Sequence, residues 1–157
     1  QCLEVAEHLP EDSADRFVAS LVRHGNLVLF SAACKGQGGE NHLNEQDYDY
    51  WRALFAHHGY IAVDFLRRRI LTDNAIEPWY RYNTILYASS DAFAGLPAAV
   101  RDARVPAHQR IADLSPWLYR LRKRIVMLLP VPVATCVARV KERAVVLTRA
   151  PHGDRNP

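Results

Sequence analysis

Short apolar runs alternate with amphipathic stretches through the first 90 residues of the chain. Four of these runs predict strands. The second of them is continuously apolar, which is typical of a strand buried on both faces. The predicted strands are Leu3–Ala6, Leu27–Phe30, Tyr60–Leu66 and Tyr82–Ala88. Two helices are predicted between the first three strands, from apolar faces at Ala14, Phe17, Val18 and Leu21 and at Trp51, Leu54, Phe55 and His58.

Strand–helix–strand–helix–strand order predicts an α/β fold with right-handed crossovers. Asp12 and Asp47 are the predicted N-caps of the two helices, and Gly25 and Gly59 their stops. The stretch 67–80, which contains Pro78, shows no convincing helix. We therefore expect the last strand to return antiparallel at one edge of the sheet.

The alternation of strands and helices weakens after Ser89, and we therefore divide the chain into three segments. Residues 1–90 form the α/β body, 91–150 a basic helical extension, and 151–157 a disordered tail. Within the extension, a helix over 92–103 is broken near Pro97, and a stronger amphipathic helix covers 114–127.

The composition, with 49% hydrophobic and 24% charged residues in a chain of 157, is that of a single globular domain. It excludes a disordered or collagen-like chain. The three cysteines, Cys2, Cys34 and Cys136, are far apart, which argues against a disulfide framework or a structural zinc site. No apolar run reaches the ~18 residues of a membrane span, and no signal sequence opens the chain. We expect a soluble, cytoplasmic protein without a membrane span.

The charge is unevenly distributed along the chain. Residues 1–100 hold 8 Lys and Arg against 13 Asp and Glu, whereas residues 101–157 hold 12 against 4. Such a basic tail could contact nucleic acid, an anionic membrane surface or an acidic partner, or it could be a solvated helix face without a partner.

The first candidate site is the run Glu4-Val5-Ala6-Glu7-His8, at the carboxyl end of the first strand. Open α/β sheets bind their ligands at that end of their strands. Glu4, Glu7 and His8 could hold a divalent metal, or His8 could be a general base. An imidazole ligand suits Zn, Mn, Fe or Co better than Mg²⁺. The alternative is a tight turn in which both carboxylates bond to backbone.

The second candidate site is the polar run 38–46, which follows the second strand. It lies at the same edge of the predicted sheet, so His42 is expected to approach His8, as a catalytic residue or a metal ligand. The run could equally be an ordinary surface loop. Gly36, Gly38 and Gly39 lie at the start of this loop. The Lys-Ser/Thr of a P-loop does not follow them, so they indicate a flexible active-site loop instead.

The third candidate site is the aromatic run 77–83. Trp79, Tyr80 and Asn83 could line a substrate pocket, or the two rings could only cover a sheet edge. His57 and His58 end a predicted helix, where a cation suits the helix dipole, and we assign them no catalytic role.

Five motifs within residues 2–90 together resemble the carboxyl-terminal half of class I S-adenosylmethionine-dependent methyltransferases. They are, in order, E-V-A-E-H-L-P, L-V-L-F-S-A-A, G-Q-G-G-x-x-H-L-N-E-Q, Y-W-x-x-L-F-x-x-x-G-Y and W-Y-R-x-N-x-x-L-Y. The resemblance implies a Rossmann-like three-layer sandwich, of which this chain supplies strands four to seven of a seven-stranded sheet, the last antiparallel. The amino-terminal half of the domain would then be a missing partner.

The resemblance also implies a function: methyl transfer from S-adenosylmethionine to a small-molecule acceptor, with a hydroxyl favoured. In ubiquinone-pathway O-methyltransferases and small-RNA 2′-O-methyltransferases, an E-x-x-E-H element binds a divalent metal. Glu4, Glu7 and His8 match that element here, and His42 could be a fourth ligand by position. Asn44, Glu45 and Gln46 would join the substrate-binding residues.

The glycine-rich cofactor motif of the family is not present in these 157 residues. We therefore expect the chain to bind S-adenosylmethionine poorly or not at all, and its cofactor-binding residues stay unknown. A non-catalytic binding module, with the basic tail on nucleic acid or acidic lipid, is the alternative. A nucleotide-dependent oxidoreductase has no support, since no dinucleotide fingerprint is present.

Overall fold

The computed structural model describes residues 1–129 and Val133. Its centre is a four-stranded mixed sheet, and the α/β class predicted from the sequence is confirmed. The strands are β1 (Cys2–Leu3), β2 (Leu27–Ser31), β3 (Tyr60–Val63) and β4 (Ile85–Ser89). The α-helices of the described residues are α1 (Ala14–His24), α2 (Tyr48–His57), α3 (Arg67–Ile70), α4 (Pro78–Asn83), α5 (Ser90–Ala94), α6 (Ala98–Arg101) and α7 (Trp117–Met127).

The strand order is β1-β2-β4-β3. β1 pairs parallel with β2, with Cys2 opposite Phe30, and β4 is antiparallel to both of its neighbours. The antiparallel direction of the last strand is therefore confirmed, but β4 lies one place in from the edge and β3 forms the edge. Ile85, Tyr87 and Ala88 of β4 are all buried, as expected for a strand with a neighbour on each side.

The chain between β3 and β4 departs from its prediction. It forms the short helices α3 and α4, and the strand begins at Ile85 rather than Tyr82. Pro78 occupies the first turn of α4, where its missing N–H costs nothing. The proline thus starts a helix in a stretch for which the sequence predicted none.

The hydrophobic core lies between the sheet and the helices that connect its strands. The Phe55 ring stacks on Tyr87, with centroids 3.9 Å apart and planes 8° apart. Phe30 meets both rings edge-on, and Trp51 packs against Phe30 at 5.2 Å. Val18 of α1 is fully buried in the same cluster. Both predicted helix faces therefore supply core residues.

The helix ends match their predicted caps only in part. Asp47 occupies the N-cap of α2, but its side chain makes no capping hydrogen bond. Asp12 lies in a 3₁₀ turn, and Ser13 is the N-cap of α1. Gly59 adopts a left-handed φ of 78° after α2, as a glycine stop does, whereas Gly25 is extended.

The segment after β4 folds back onto the body. The predicted break at Pro97 is confirmed, because α5 and α6 flank it. Val63 pairs antiparallel with Arg104 beyond α6, and Ile111 is buried in the core. The predicted tail 151–157 and Cys136 lie outside the described residues.

Helix α7, predicted within residues 114–127, turns a basic side chain inward and apolar side chains outward. Lys123 is buried and donates to Asp113 at 2.5 Å. Burial opposes ionisation of Asp113, but the bonds from Lys123 and Ser115 outweigh it and lower the pKa of Asp113. The exposed apolar residues of α7 are Trp117, Leu118, Leu121, Ile125 and Met127.

The helices α1 and α7 have 11 residues each. In the described part of the chain, no helix combines the length and the apolar character that crossing a bilayer requires.

Candidate functional site

The first two candidate sites meet at the carboxyl ends of the parallel strands β1 and β2. β1 and β2 are parallel, so Glu4 and the turn Ala6–His8 lie beside the loop that follows β2. The backbone N–H groups of Leu43 and Asn44 both donate to the carbonyl of Glu7, at 2.8 and 2.9 Å. This backbone junction brings together Glu4, Glu7, His8 and His42, which we call the carboxylate–imidazole cluster.

The expected approach of His42 to His8 is confirmed. Their ring centroids are 4.9 Å apart, in an edge-to-face arrangement. One ligand atom from each of Glu7, His8 and His42 lies within 4.8 Å of the other two. Three of the four predicted metal ligands therefore converge.

Glu7 is the most unusual residue of the cluster. It is 0% exposed, and neither of its carboxylate oxygens makes a well-formed hydrogen bond to the described residues, although the nearby backbone of Glu7 and Ala33 lowers its pKa slightly. Burial and the negative charge of Glu4 raise the pKa of Glu7 to about 7. A buried carboxylate that lacks well-formed hydrogen bonds and faces a second acid is unfavourable in its charged form, so this position favours a bound proton or a cation.

Glu4 is held by hydrogen bonds instead. Its carboxylate accepts from Gln37 Nε2 at 2.8 Å and Asn83 Nδ2 at 3.3 Å. Burial nevertheless raises the pKa of Glu4. Its backbone has a left-handed φ of 51°, which a non-glycine residue rarely adopts, and its N–H donates to the carbonyl of Ser31. This turn directs the chain from β1 into the site.

Both imidazoles are oriented through their Nδ1 atoms. His8 Nδ1 lies 3.2 Å from the carbonyl oxygen of Asn41, and His42 Nδ1 lies 2.7 Å from Glu45 Oε1. The carbonyl or carboxylate oxygen can only accept a hydrogen bond here, so Nδ1 of each neutral ring carries the hydrogen and Nε2 keeps the lone pair. Metal-binding histidines are typically oriented in this way.

The proton affinity of His42 is set by its acidic neighbours. Burial lowers the pKa of His42, but the hydrogen bond and charge of Glu45, with the charges of Glu7 and Glu4, outweigh burial. The net result is a raised pKa. His42 and Glu45 thus form an imidazole–carboxylate pair that can hold a proton.

The glycine-rich loop surrounds a carboxylate of the chain itself. The N–H groups of Gly36 and Gly38 donate to the two oxygens of Glu45, at 2.9 and 2.8 Å. Both glycines have left-handed φ angles, 76° and 69°. A side chain at Gly39 would overlap the His42 ring. The sequence motifs placed Glu45 at the substrate and did not reveal this role, although two glycines followed by an acid were a usable signal.

The remaining predicted substrate residues are dispersed. Asn83 is buried, donates to Gln37 Oε1 at 2.7 Å and accepts from Cys34, so it joins the network around Glu4. Trp79 and Tyr80 precede it on α4, where their rings contact each other at 6.1 Å.

The two remaining loop residues bond to each other. Gln46 donates to the Oδ1 of the buried Asn44 at 2.9 Å. Asn44 Nδ2 has no partner among the described residues.

A cleft of about 430 Å³ opens beside the cluster. His42 and Glu45 line one side, with Gly38 and Gly39, and Val126 and Met127 of α7 line the other. A small organic molecule is of a size to fit such a cleft. Because Glu45 already engages Nδ1 of His42, Nε2 is the ring nitrogen that stays available to a molecule in the cleft.

Compared with known proteins, the chain matches no protein-family model, no curated protein and no solved structure. The side chains of the site and the residue motifs are therefore the whole basis for a functional proposal.

Proposed function

We propose that this chain forms the acceptor side of a class I S-adenosylmethionine-dependent methyltransferase that acts on a hydroxyl group. The observation that carries the proposal is Glu7, a fully buried carboxylate without well-formed hydrogen bonds to the described residues, with the imidazoles of His8 and His42 close enough to share a ligand with it. The antiparallel last strand agrees with strands four to seven of that family's sheet. The choice of this family rests on the five motifs of residues 2–90.

The donor set of the cluster suits a divalent metal. Glu7, His8 and His42 would hold it, and a mixed nitrogen and oxygen set favours Zn, Mn, Fe or Co. Glu4 stays on its amide donors and adds negative charge nearby. The metal would supply Lewis acidity, which lowers the pKa of a hydroxyl acceptor.

The residues of this chain would position the acceptor and accept its proton. His42 is oriented by Glu45, which is itself fixed by two backbone N–H groups, so Nε2 points in a defined direction. The cleft beside α7 would receive the acceptor. Without a metal, His42 or His8 would be the general base.

The residues present do not fit S-adenosylmethionine. The only described glycine-rich loop after a strand holds Glu45, and no glycine-rich turn leads from a described strand directly into a helix. We therefore propose that the cofactor is held by residues outside this sequence. The contribution of this chain is alignment and deprotonation of the acceptor.

The test joins this chain to the coding sequence that precedes Gln1 and measures methyl transfer. We expect His8→Ala and His42→Ala each to lower turnover while the affinity for S-adenosylmethionine changes by no more than a few fold. If the two imidazoles share a metal, each substitution should also lower metal affinity about 10–100-fold. The double variant should be little worse than either single one, because the residues act as a unit.

The matched control is His24→Ala, an exposed imidazole at the end of α1. Turnover that a chelator leaves unchanged, with only one of the two histidines essential, would favour a lone base over a metal. Full activity in both single variants, with or without chelator, would refute the proposed site.

A second candidate function rests on the exposed side of α7. Its apolar residues face outward, and Arg120, Arg122 and Arg124 are exposed between them. Basic side chains that flank an apolar stripe are typical of helices that lie on anionic lipid surfaces. We propose this surface as the alternative: a non-catalytic binding module for acidic lipid.

Vesicles that contain phosphatidylserine test this alternative against vesicles of phosphatidylcholine alone. We expect co-sedimentation with the acidic vesicles, and Leu121→Ser should weaken it by about tenfold or more, because burial of a leucine contributes roughly 1.5–3 kcal/mol. Leu43→Ser, an exposed leucine outside α7, is the matched control. Salt-dependent binding to DNA without vesicle binding would instead point to nucleic acid and would overturn the lipid proposal.

A further inference from the structure

Two imidazoles and a carboxylate meet where α1 and α2 pack together, away from the carboxylate–imidazole cluster. His57 is the last residue of α2, His58 follows it, and Asp15 lies in the first turn of α1. One ligand atom from each residue lies within 4.8 Å of the other two. We call these residues the Asp15 cluster.

The distances in the Asp15 cluster match those around a tetrahedral metal. His58 Nε2 lies 3.3 Å and His57 Nδ1 3.6 Å from the same oxygen, Asp15 Oδ1. Ligands at the 2.0–2.1 Å bond lengths of zinc are separated by about 3.3–3.4 Å along a tetrahedral edge. Small side-chain movements would therefore bring all three atoms into bonding range.

Ion pairing alone explains this arrangement poorly. The contact of 3.6 Å is too long for a hydrogen bond, so His57 Nδ1 faces the carboxylate without bonding to it. The side chains of His57 and Asp15 are 75% and 52% exposed, and exposed ion pairs contribute little to stability. Two protonated imidazoles on one oxygen would also repel each other.

The backbone brings the three residues together. The C-terminal end of α2 fixes the two adjacent histidines, and Gly59, with φ at 78°, turns the chain away directly after them. α1 and α2 pack against each other, which brings Asp15 to that end of α2. A metal that binds here would therefore have to order only side chains, since the backbone already places the three residues together.

We propose that Asp15, His57 and His58 form an open, exchangeable site for Zn²⁺ or a similar borderline metal such as Co²⁺. Two nitrogen donors and one oxygen exclude a preference for Mg²⁺ or Ca²⁺, which take oxygen ligands. Three protein ligands leave the fourth position to water or a small exogenous ligand. Occupancy would join α1 to α2.

Titration of the 157-residue chain with ZnCl₂, followed by calorimetry, tests the proposal. In a His8→Ala/His42→Ala background, which removes the other cluster, we expect one zinc equivalent to remain. His57→Ala and Asp15→Asn should each weaken that remaining site at least tenfold. His24→Ala and His108→Ala, exposed imidazoles outside both clusters, are the controls and should change nothing.

Absorption of bound Co²⁺ gives a second measurement that does not need the His8→Ala/His42→Ala chain. In the otherwise unchanged chain, His57→Ala should remove one equivalent of the tetrahedral cobalt signal, whereas His24→Ala should not. Zinc affinity and stoichiometry that are the same in His57→Ala and Asp15→Asn as in the parent chain would overturn the proposal. Loss of zinc only through His8→Ala/His42→Ala would overturn it as well and would leave the first cluster as the metal site.

Discussion

Glu7→Gln should make the metal-free chain more stable at pH 8 and change its stability much less at pH 5. Burial and the charge of Glu4 raise the pKa of the Glu7 carboxyl from 4.5 to about 7 in the folded chain. The folded state therefore holds this proton more tightly than the unfolded state. Its stabilising effect is complete below about pH 4.5 and is lost as the pH rises through 7. The folded chain thereby loses about 3 kcal/mol of stability between these pH values. Glu7→Gln does not lose it, because a glutamine amide does not titrate.

Urea unfolding between pH 5 and pH 8, in the presence of a chelator, measures this difference. His42 also has a raised pKa and adds to the loss in the same direction, so some pH dependence should persist in Glu7→Gln. Glu11→Gln, at an exposed acid, is the matched control. In a separate measurement without the chelator, zinc added at pH 8 should stabilise the parent chain and have less effect on Glu7→Gln. If the free energy of unfolding depends on pH equally in both chains, the pKa of Glu7 is not raised and the prediction is wrong.

Arg67→Met should destabilise the chain by about 3–5 kcal/mol, because it leaves a buried carboxylate unpaired. Arg67 is 0% exposed, and its Nε and Nη2 each lie 2.7 Å from the carboxylate of Asp64. Its Nη1 donates to the carbonyl of Tyr82 at 2.9 Å, and the Tyr48 ring lies 4.9 Å from its guanidinium carbon. No other ion pair of the described residues is as deeply buried.

The double variant Arg67→Met/Asp64→Leu should recover most of the loss, since an apolar pair of similar volume can replace a buried ion pair. Arg68→Met, at the exposed neighbouring position, should change the free energy of unfolding by less than about 0.5 kcal/mol. Urea unfolding of the four chains makes the comparison. A loss in Arg67→Met no larger than in Arg68→Met would show that the buried pair is not a stabilising element.

The α/β class was predictable because local patterns determine it, whereas the first strand, predicted over Leu3–Ala6, is Cys2–Leu3, with a 3₁₀ turn at Ala6–His8. Short apolar runs that alternate with amphipathic helices indicate an α/β class, and the run Leu27–Phe30 became strand β2, in which Val28 and Phe30 are buried. The meeting of His8 and His42 was also predictable, since parallel neighbouring strands end at the same edge. The methyltransferase function rests on residue motifs and stays a proposal.

The sequence by itself thus determined the class of fold and the edge of the sheet at which polar side chains gather. Only the tertiary structure decided which partner each of those side chains has. Glu45 bonds to His42 and to two glycine N–H groups because the loop folds back on itself, and no periodicity encodes that closure. Asp15 meets His58, 43 positions away in the sequence, because α1 and α2 pack together. Burial, which raises the pKa of Glu7, likewise depends on segments that are distant in sequence but adjacent in space.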